Sequence, residues 1–499
     1  MGEPAATSLR GAIRAVRELD ELMTTDHPVD PDIEIVALQK IFDGGAALLF
    51  DNVVGYPEAR MVTNLTATEE RLARLFGVED THEFKRRMRS ALRRPLPPRL
   101  VEDAPVQEVV VEGDVDVWSH IPMVSHTRQD PGRTLGGGVT LLSGDHFWGG
   151  SHVGYNRMNF RGPNVASFQM APGSHCDMVA TEWYRRGPIP MTINIGVPPS
   201  VVVMASAGFM NMVLPAGADE LGVAGGLQGA PVDVVRARTV DALAVAEAEW
   251  VIEGYLETTE KIWESEAAEA EQVQGKHPFH PEWAGYMGKA YRTYKFTATA
   301  VTSRAERPIY HALGVHMKDV HLMTTWTREA AFMELAERLS PGFCTDVRIP
   351  WPMTDWGGAV FQTRKIRARD EGAQVNLLTA AMASSRGMKI AIAVDDDIDI
   401  YQLDDVMWAL TTRVDPARDV HRTLEGGLGQ NFQPTHDGGR FAGGLIIDAT
   451  VPFGMRDQFQ RPSYAVDEVD PLRFFSADDV ERGMRTQRGW ERYLAKFGY

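Results

Sequence analysis

Apolar positions recur at helical spacing near the start of the chain. Leu9, Ile13, Val16, Leu19 and Leu22 share one face and predict an amphipathic helix. Thr25-Asp-His-Pro-Val-Asp-Pro31 breaks the chain after it. A second helix is predicted over 33–41, a short buried strand over 46–50 closed by Gly55-Tyr-Pro57, and a third helix over 66–76. From about 105 to 320 the texture changes to short alternating or wholly apolar runs, at 106–111, 138–143, 153–160, 165–170, 191–195, 200–204, 232–236 and 295–302. Turn signals separate them, as at Ser143-Gly-Asp145, Arg161-Gly-Pro163 and Gly187-Pro188. That rhythm predicts an antiparallel barrel or sandwich. Within it, 257–274 is acidic and alanine-rich and reads as an exposed helical insertion. The most apolar stretch, 197–215, is interrupted by Pro198, Pro199, Ser206 and Asn211 and reads as a buried strand pair rather than a membrane span.

After 320 the pattern reverts. A helix over 326–339, a strand over 359–366, a helix over 373–385 and a buried strand over 389–394 give a βαβ order. Such an order predicts a parallel or mixed sheet with crossover helices. Asp404 is placed to cap a helix running through Thr411. Ser476-Ala-Asp-Asp479 resembles a capping box and opens a terminal helix to about Phe497. Its Val480, Met484, Trp490, Leu494 and Phe497 need a partner surface, either on this chain or on a neighbouring subunit. The expected fold class is α/β and α+β multidomain: an N-terminal α/β region (1–104), a central β-rich domain (105–320), a C-terminal α/β domain (321–470) and a helical tail (471–499). The proline-rich Arg94-Pro-Leu-Pro-Pro98 marks the first boundary.

A length of 499 residues is too great for one core, in keeping with that division. The balance of 51 basic and 68 acidic residues gives −17. Such a surface repels phosphate backbones and anionic lipids, so neither nucleic acid nor a membrane is an expected partner. Two cysteines, Cys176 and Cys344, with no Cys-x-x-Cys, exclude a disulfide framework and thiolate zinc or iron–sulfur sites. They fit a reducing, cytoplasmic location. The first residues lack the apolar core of a signal peptide. Gly136-Gly-Gly138 lacks the G-x-G-x-x-G spacing, and the Walker A, G-x-S-x-G and H-E-x-x-H motifs are absent.

On the residues alone the candidate chemistry has bland readings. Arg157, beside Asn156 and Asn159 in an apolar run, reads as an arginine at a sheet rim. His175 reads as a loop histidine, Glu220 as a helix-start acid, and Cys176 as a buried bystander. Glu282 reads as a turn acid, with His277 and His280 in a solvated loop. Phe279 and Trp283 would desolvate Glu282 and raise its pKa. The acids Asp395, Asp396, Asp397 and Asp399 read as a solvated strand-end loop or helix-capping group ahead of a metal site, and Lys389 as a surface lysine ahead of a phosphate contact.

Taken in order, however, His152-Val-Gly-Tyr-Asn-Arg157, Gly173-Ser-His175-Cys176, Asp219-Glu220-Leu-Gly-Val-Ala-Gly225 and Pro281-Glu282-Trp-Ala-Gly-Tyr286 resemble the active site of the UbiD family of decarboxylases. Those enzymes use prenylated flavin mononucleotide (prenylated FMN) and a divalent metal to remove CO2 from unsaturated or aromatic acids. The family carries Asn-x-x-x-x-Arg where this chain has His152 and Arg157. It carries Glu-x4-Glu where this chain has His277 and Glu282, with His280 near. Val394-Asp-Asp-Asp-Ile-Asp399 and Trp408-Ala-Leu-Thr-Thr-Arg413 also look like the branch acting on hydroxylated aromatic and heteroaromatic acids, protocatechuate-type enzymes included.

The resemblance implies a central flavin-reductase-like split β-barrel. It implies a metal set of His152, His175 and Glu220 holding a manganese-like ion that bridges the flavin phosphate, with potassium as a further cation. Tyr155, Arg157, His175 and Glu220 would bind the cofactor. Glu282 would donate the proton, Arg157 would orient it, and His277 or His280 would contact the substrate carboxylate or a ring hydroxyl. It also implies a flavin prenyltransferase as cofactor supplier and a homodimer or higher homo-oligomer. Two rivals stay open: a plain FMN oxidoreductase, and a non-catalytic subunit whose altered Asn and Glu positions mark a lost site.

Overall fold

The structure, a computed structural model, describes residues 5–208, 210–385, 387–423 and 443–486. It is a mixed α/β multidomain fold with separate N-terminal, central and C-terminal sheets. The first helix, Leu9–Glu18, begins where Ser8 Oγ accepts a hydrogen bond from Gly11 N. It stops earlier than the apolar spacing predicts, because Asp20 takes φ +59 and Leu22–Thr25 becomes a strand. That strand pairs with Ala47–Phe50, then Arg60–Thr63, then Ile309–His311. The fourth strand of the N-terminal sheet therefore comes from residues far along the chain.

The central sheet runs in the order Ser151–Tyr155, Gly138–Ser143, Ile189–Ile195, Trp250–Trp263, Arg292–Ser303, Val165–Gln169, Arg157–Phe160, with Val109–Glu112 also on Arg292–Ser303. Every pairing in it is antiparallel. The run expected at 153–160 is two strands that stand at opposite ends of this path. Only Asn156 separates them in sequence, so the sheet has to curl back on itself. Its inner residues Ile193, Phe168 and Phe296 share one core with Leu48, Phe50 and Met61 of the N-terminal sheet.

Three sequence expectations fail here. The apolar stretch 197–215 is not a strand pair; Pro199–Ser206 is a wholly buried helix with proline at its first position. An apolar run cannot by itself distinguish a buried strand from a buried helix, and Pro199 favours helix initiation. The acidic insertion at 257–274 is mostly not helical. Trp250–Trp263 continues as strand, and only Glu266–Glu271 is helix. The run at 232–236 lies outside the curled sheet, in a three-stranded unit with Leu243–Val245 and Arg99–Leu100.

The register of Trp250–Trp263 against Arg292–Ser303 shifts at Gly254. A Cβ there would stand 2.3 Å from Thr297 O and 2.6 Å from Phe296 Cζ. Gly254→Ala is therefore expected to lower stability by about 1–3 kcal/mol through overpacking. A shift of the urea midpoint without a change of slope would register it; an unchanged midpoint would count against this packing.

The C-terminal sheet has the order Cys344–Arg348, Gly358–Thr363, Ile390–Asp395, Leu445–Ala449, Val420–Arg422, with its three inner strands parallel. Ala359, Phe361, Ala391 and Ala393 pack on one face and Val360, Ile392 and Val394 on the other. Burial on both faces explains why these strands read as continuous apolar runs. The helix expected at 326–339 starts earlier, as Lys318–Leu339, and is buried on nearly all sides, so it carries no amphipathic signal over its first turns. Asp404 does not cap its helix: it sits in the first turn of Leu403–Arg413, after Gln402, which makes no side-chain cap. The strand-end acids are held by ion pairs, Asp395 and Asp397 with Arg413 and Asp396 with Arg364.

Ser476 Oγ accepts from Asp479 N at 3.2 Å and opens the helix Ala477–Thr486. Trp490, Leu494 and Phe497, expected on its apolar face, lie outside the described residues. Among the described residues, no helix is long and apolar enough to cross a membrane.

Candidate active site and metal centre

Three local structures bring the metal candidates together. His152 lies on the strand Ser151–Tyr155. His175 is the first residue of the helix His175–Glu182, capped by Ser174, and Glu220 is the first residue of Glu220–Gln228, capped by Asp219. A bridge between Ser151 and Asp219 ties the strand to the second helix start. Gly150 allows this approach, because a Cβ there would lie 2.2 Å from Gly217 O.

The outcome is a carboxylate shared by two imidazoles. His152 Nδ1 is 2.9 Å from Glu220 Oε2 and His175 Nδ1 is 2.9 Å from Glu220 Oε1. Burial opposes ionisation of Glu220, yet the two histidines outweigh it and lower its pKa to about 2. His152 is likewise held well above its ordinary value: burial disfavours its charge, and Glu220 and Cys176 outweigh that. The donor atoms lie within 4.8 Å of one another. His175 Nε2 is buried without a hydrogen-bond partner among the described residues. A 2-His-1-carboxylate set with an unsatisfied buried nitrogen fits a divalent transition ion. Binding such an ion would release protons from this donor set.

The second cluster is an acid–arginine–acid chain. Arg157 opens Arg157–Phe160, two residues past the end of the histidine strand. Its Nε and Nη2 donate to Glu264 at 2.9 and 2.6 Å, its Nη1 donates to Glu282 Oε1 at 2.7 Å, and Nη2 also reaches Lys289 O at 3.2 Å. The Phe279 ring lies 4.4 Å from the guanidinium carbon. Burial penalises the charge on Arg157, but Glu264 and Glu282 overcome it and raise its pKa.

Glu282 is carried on the turn between the paired strands Pro278–Pro281 and Met287–Lys289, where Gly288 makes room for it. Burial pushes its carboxyl above the ordinary range; Arg157 pulls the other way and Glu264 adds to the rise. Two neighbouring carboxylates in one low-dielectric site resist joint ionisation, which suits one of them to hold a proton.

Both clusters open on one cavity of about 400 Å³. His152, His175, Glu220, Tyr155, Arg157 and Glu282 all line it, as do Lys289, Tyr291, Trp283, Asp355 and Trp356. His277 and His280 do not. His277 Nε2 lies 3.2 Å from Glu271 on the acidic segment. His280 is buried beside Phe279 and His126, and its Nδ1 is 3.0 Å from Pro281 O. Burial, with His126 and Arg157 nearby, holds its pKa well below the usual value. Neither of the two histidines expected to meet the substrate is among the residues that line this cavity.

The acid that partners Arg157 opposite Glu282 is Glu264, which the sequence reading missed. It is fully buried, at 0% exposure, and Tyr291 N also donates to it at 2.7 Å. Its place among Glu257, Glu260, Glu266 and Glu269 gave no signal, since only the strand register turns this one inward.

Similarity to known proteins bears on all of this. Sequence models of three domains described as 3-octaprenyl-4-hydroxybenzoate carboxy-lyase match: the N-terminal domain over 13–90, the Rift-related domain over 99–317 and the C-terminal domain over 321–449. Gallate decarboxylase of Lactiplantibacillus plantarum is 30% identical over 470 residues, spanning 88% of this chain and 93% of that one. The UbiD-class enzyme HmfF of Pelotomaculum thermopropionicum, solved in complex with FMN, superimposes with a TM-score of 0.82 at 28% identity, covering 94% and 100% of the two chains. An evolved dimeric form of it was solved with prenylated FMN. Apo 3,4-dihydroxybenzoic acid decarboxylase of Klebsiella pneumoniae gives 0.79 at 28% identity, covering 94% and 99%. With three domain models in order and a relative matching most of both chains, this chain belongs to the UbiD family of carboxy-lyases.

Proposed function

We propose that this protein catalyses the reversible, non-oxidative decarboxylation of an aromatic or heteroaromatic carboxylic acid, using prenylated FMN and a divalent ion, manganese by preference. The observation that carries the reading is the Glu264–Arg157–Glu282 chain opening on the same cavity as the His152–His175–Glu220 triad. Relatives that act on gallate and 3,4-dihydroxybenzoate support the substrate class.

When bound, prenylated FMN supplies the electron sink that side chains lack. His152, His175 and Glu220 would hold the ion that anchors its phosphate, and Tyr155 and Arg157 would bind the cofactor. Potassium beside that ion is part of the same reading. The carbon–carboxylate bond breaks, CO2 leaves, and its electron pair stays on the ring carbon. Glu282 then delivers to that carbon the proton held on Oε2, the oxygen Arg157 does not bind, and regains a proton from solvent. Arg157 keeps Glu282 in place and, by its own pairing with Glu264, is itself fixed. Trp283, Trp356, Met204 and Leu214 line the cavity and would exclude water from a bound ring.

The proposal extends to organisation. The curled sheet of 105–320 is a flavin-reductase-like split barrel, flanked by an α/β region at 1–104, an α/β domain at 321–470 and a tail at 471–499. Leu472, Phe474, Phe475 and Met484 of that tail are exposed, which favours a homodimer or higher homo-oligomer over a free monomer. Two unpaired cysteines fit the cytoplasm, where a flavin prenyltransferase would supply the cofactor.

The test is protein co-expressed with a flavin prenyltransferase and purified without oxygen. Prenylated FMN by mass analysis, with a stoichiometric divalent ion, is the expected result. Unmodified FMN reduced by NAD(P)H would replace the reading with an oxidoreductase, and the lack of both groups would leave a non-catalytic subunit. Glu220→Ala should lose the ion, since two imidazoles remain without their shared carboxylate; full metal content in that variant would refute the triad.

The raised pKa of Glu282 sets a pH dependence. A donor works in its protonated form, which is abundant below its pKa. Turnover should fall as pH rises through a value above the ordinary carboxylate range, read as the falling limb of kcat against pH.

A further inference from the structure

The barrel wall of the cavity carries Arg157, Glu282 and Lys289. The facing wall comes from the helix Lys318–Leu339 and the turn after Trp351–Met353. The two meet where the Trp283 and Trp356 rings stand 6.3 Å apart. Most of this second wall is apolar: Val315, Val320, Met323 and Trp356. Asp355 interrupts it. Only 4% of Asp355 is exposed, yet it lines the cavity. Its Oδ1 lies 2.7 Å from His321 Nδ1. Among the described residues His321 is the one hydrogen-bond partner of its carboxylate, and the Arg328 guanidinium also acts on it through its charge.

The surroundings are built to keep it there. His321 is buried, and its ring stands edge-on to Trp351 at 5.0 Å. Trp356, the next residue, lies with the Arg328 guanidinium 4.4 Å from its ring, and Arg328 is pinned in turn by a 2.8 Å bond to Ser385 Oγ. On its other edge Trp356 packs on the bare Cα of Gly208, where a Cβ would come within 1.8 Å of the indole. A buried acceptor with a spare oxygen is destabilising unless a donor reaches it. A carboxylate accepts and cannot donate when ionised. Its wanted partner is an O–H or N–H, and a second carboxylate is repelled.

We propose that Asp355 is a specificity-determining residue: it accepts a hydrogen bond from a donor on the substrate ring. This rests on the decarboxylase reading and narrows it to aryl acids with a ring hydroxyl or ring N–H. His321 positions the carboxylate, and Trp356, held by Arg328, is the flat surface beside it. A ring whose hydroxyl is methylated, or that carries a carboxylate there instead, is selected against.

The test compares paired ligands on the cofactor-loaded protein. Quenching of tryptophan fluorescence gives binding of catechol against its dimethyl ether and of pyrrole against N-methylpyrrole. Decarboxylation of 3,4-dihydroxybenzoate against 3,4-dimethoxybenzoate gives kcat/KM. The wild-type protein should prefer the donor-bearing member of at least one pair by about 10- to 100-fold, the range of a charge-assisted hydrogen bond. Which pair responds identifies the donor as hydroxyl or ring N–H. Asp355→Asn, with an unchanged melting temperature, should lose most of that preference and gain tolerance for 1,4-benzenedicarboxylate. No preference in the wild type, or a preference kept intact by the folded variant, would overturn the proposal. Preferential binding of donor-bearing ligands without any decarboxylation would overturn the catalytic reading and leave Asp355 as a ligand contact.

Discussion

Glu282→Gln is expected to lower turnover by about 10²- to 10⁴-fold while prenylated FMN and metal content stay at wild-type levels. The geometry separates the two effects. Glu282 touches Arg157 and lines the cavity, whereas the proposed metal set, His152, His175 and Glu220, lies on other elements. Glutamine keeps the length and can still accept from Arg157, so the site should hold its shape. What it lacks is a transferable proton. Absorbance, extracted-cofactor mass and metal analysis on the variant, beside its turnover, would check both halves. Near-normal turnover would remove Glu282 from the donor role.

The second large effect belongs to Glu264. Glu264→Gln takes one charge from a buried pair in which Arg157 makes two bonds to a single carboxylate. Breaking such a pair from one side costs about 3–5 kcal/mol, because the remaining buried charge loses compensation. Stability by denaturant unfolding and turnover should both fall. A merely structural role predicts only those two changes. A positioning role predicts a third: Glu264 helps raise the pKa of Glu282, and Arg157 opposes it. With Glu264 neutral, Arg157 acts on Glu282 alone, and the falling limb of the pH profile moves to lower pH. A limb that stays in place would reduce Glu264 to a fold-stabilising acid. His277→Ala is the matched control, since His277 sits beside Glu271 and away from the cavity. It should retain most activity, and a loss as deep as that of Glu264→Gln would return the second acid's role to the position the sequence motif suggests.

These contrasts show where a sequence pattern stops being informative. His152, His175 and Glu220 were legible because each sits in a short motif at a strand end or helix start. Local chain geometry there places a side chain with little help from elsewhere. Arg157 and Glu282 were legible for the same reason. Glu264 was not, because its role comes from a pairing register. The strand Trp250–Trp263 slips by several residues against Arg292–Ser303 between Leu256 and Lys261. A shifted register changes which side chains face inward, and nothing in an acidic run announces it. His277 and His280 stand at the spacing of the motif, yet neither lines the cavity: His277 lies beside Glu271, and His280 is buried beside Phe279 and His126.

By itself the sequence determined the alternation of β-rich and βαβ texture, the helix start at Glu220, the excess negative charge and the family. All of these depend on local periodicity, on spacing within a few residues, or on composition. Only the tertiary structure decided the rest. It returned Ile309–His311 to the N-terminal sheet and set Ser151–Tyr155 and Arg157–Phe160 at opposite ends of a curled sheet. It also turned Pro199–Ser206 into a buried helix, set Glu264 behind Arg157 and brought Asp355 to the cavity. Each of these is a choice among partners distant in sequence. It is made by which apolar faces can be buried together, and a single chain read residue by residue does not contain that comparison.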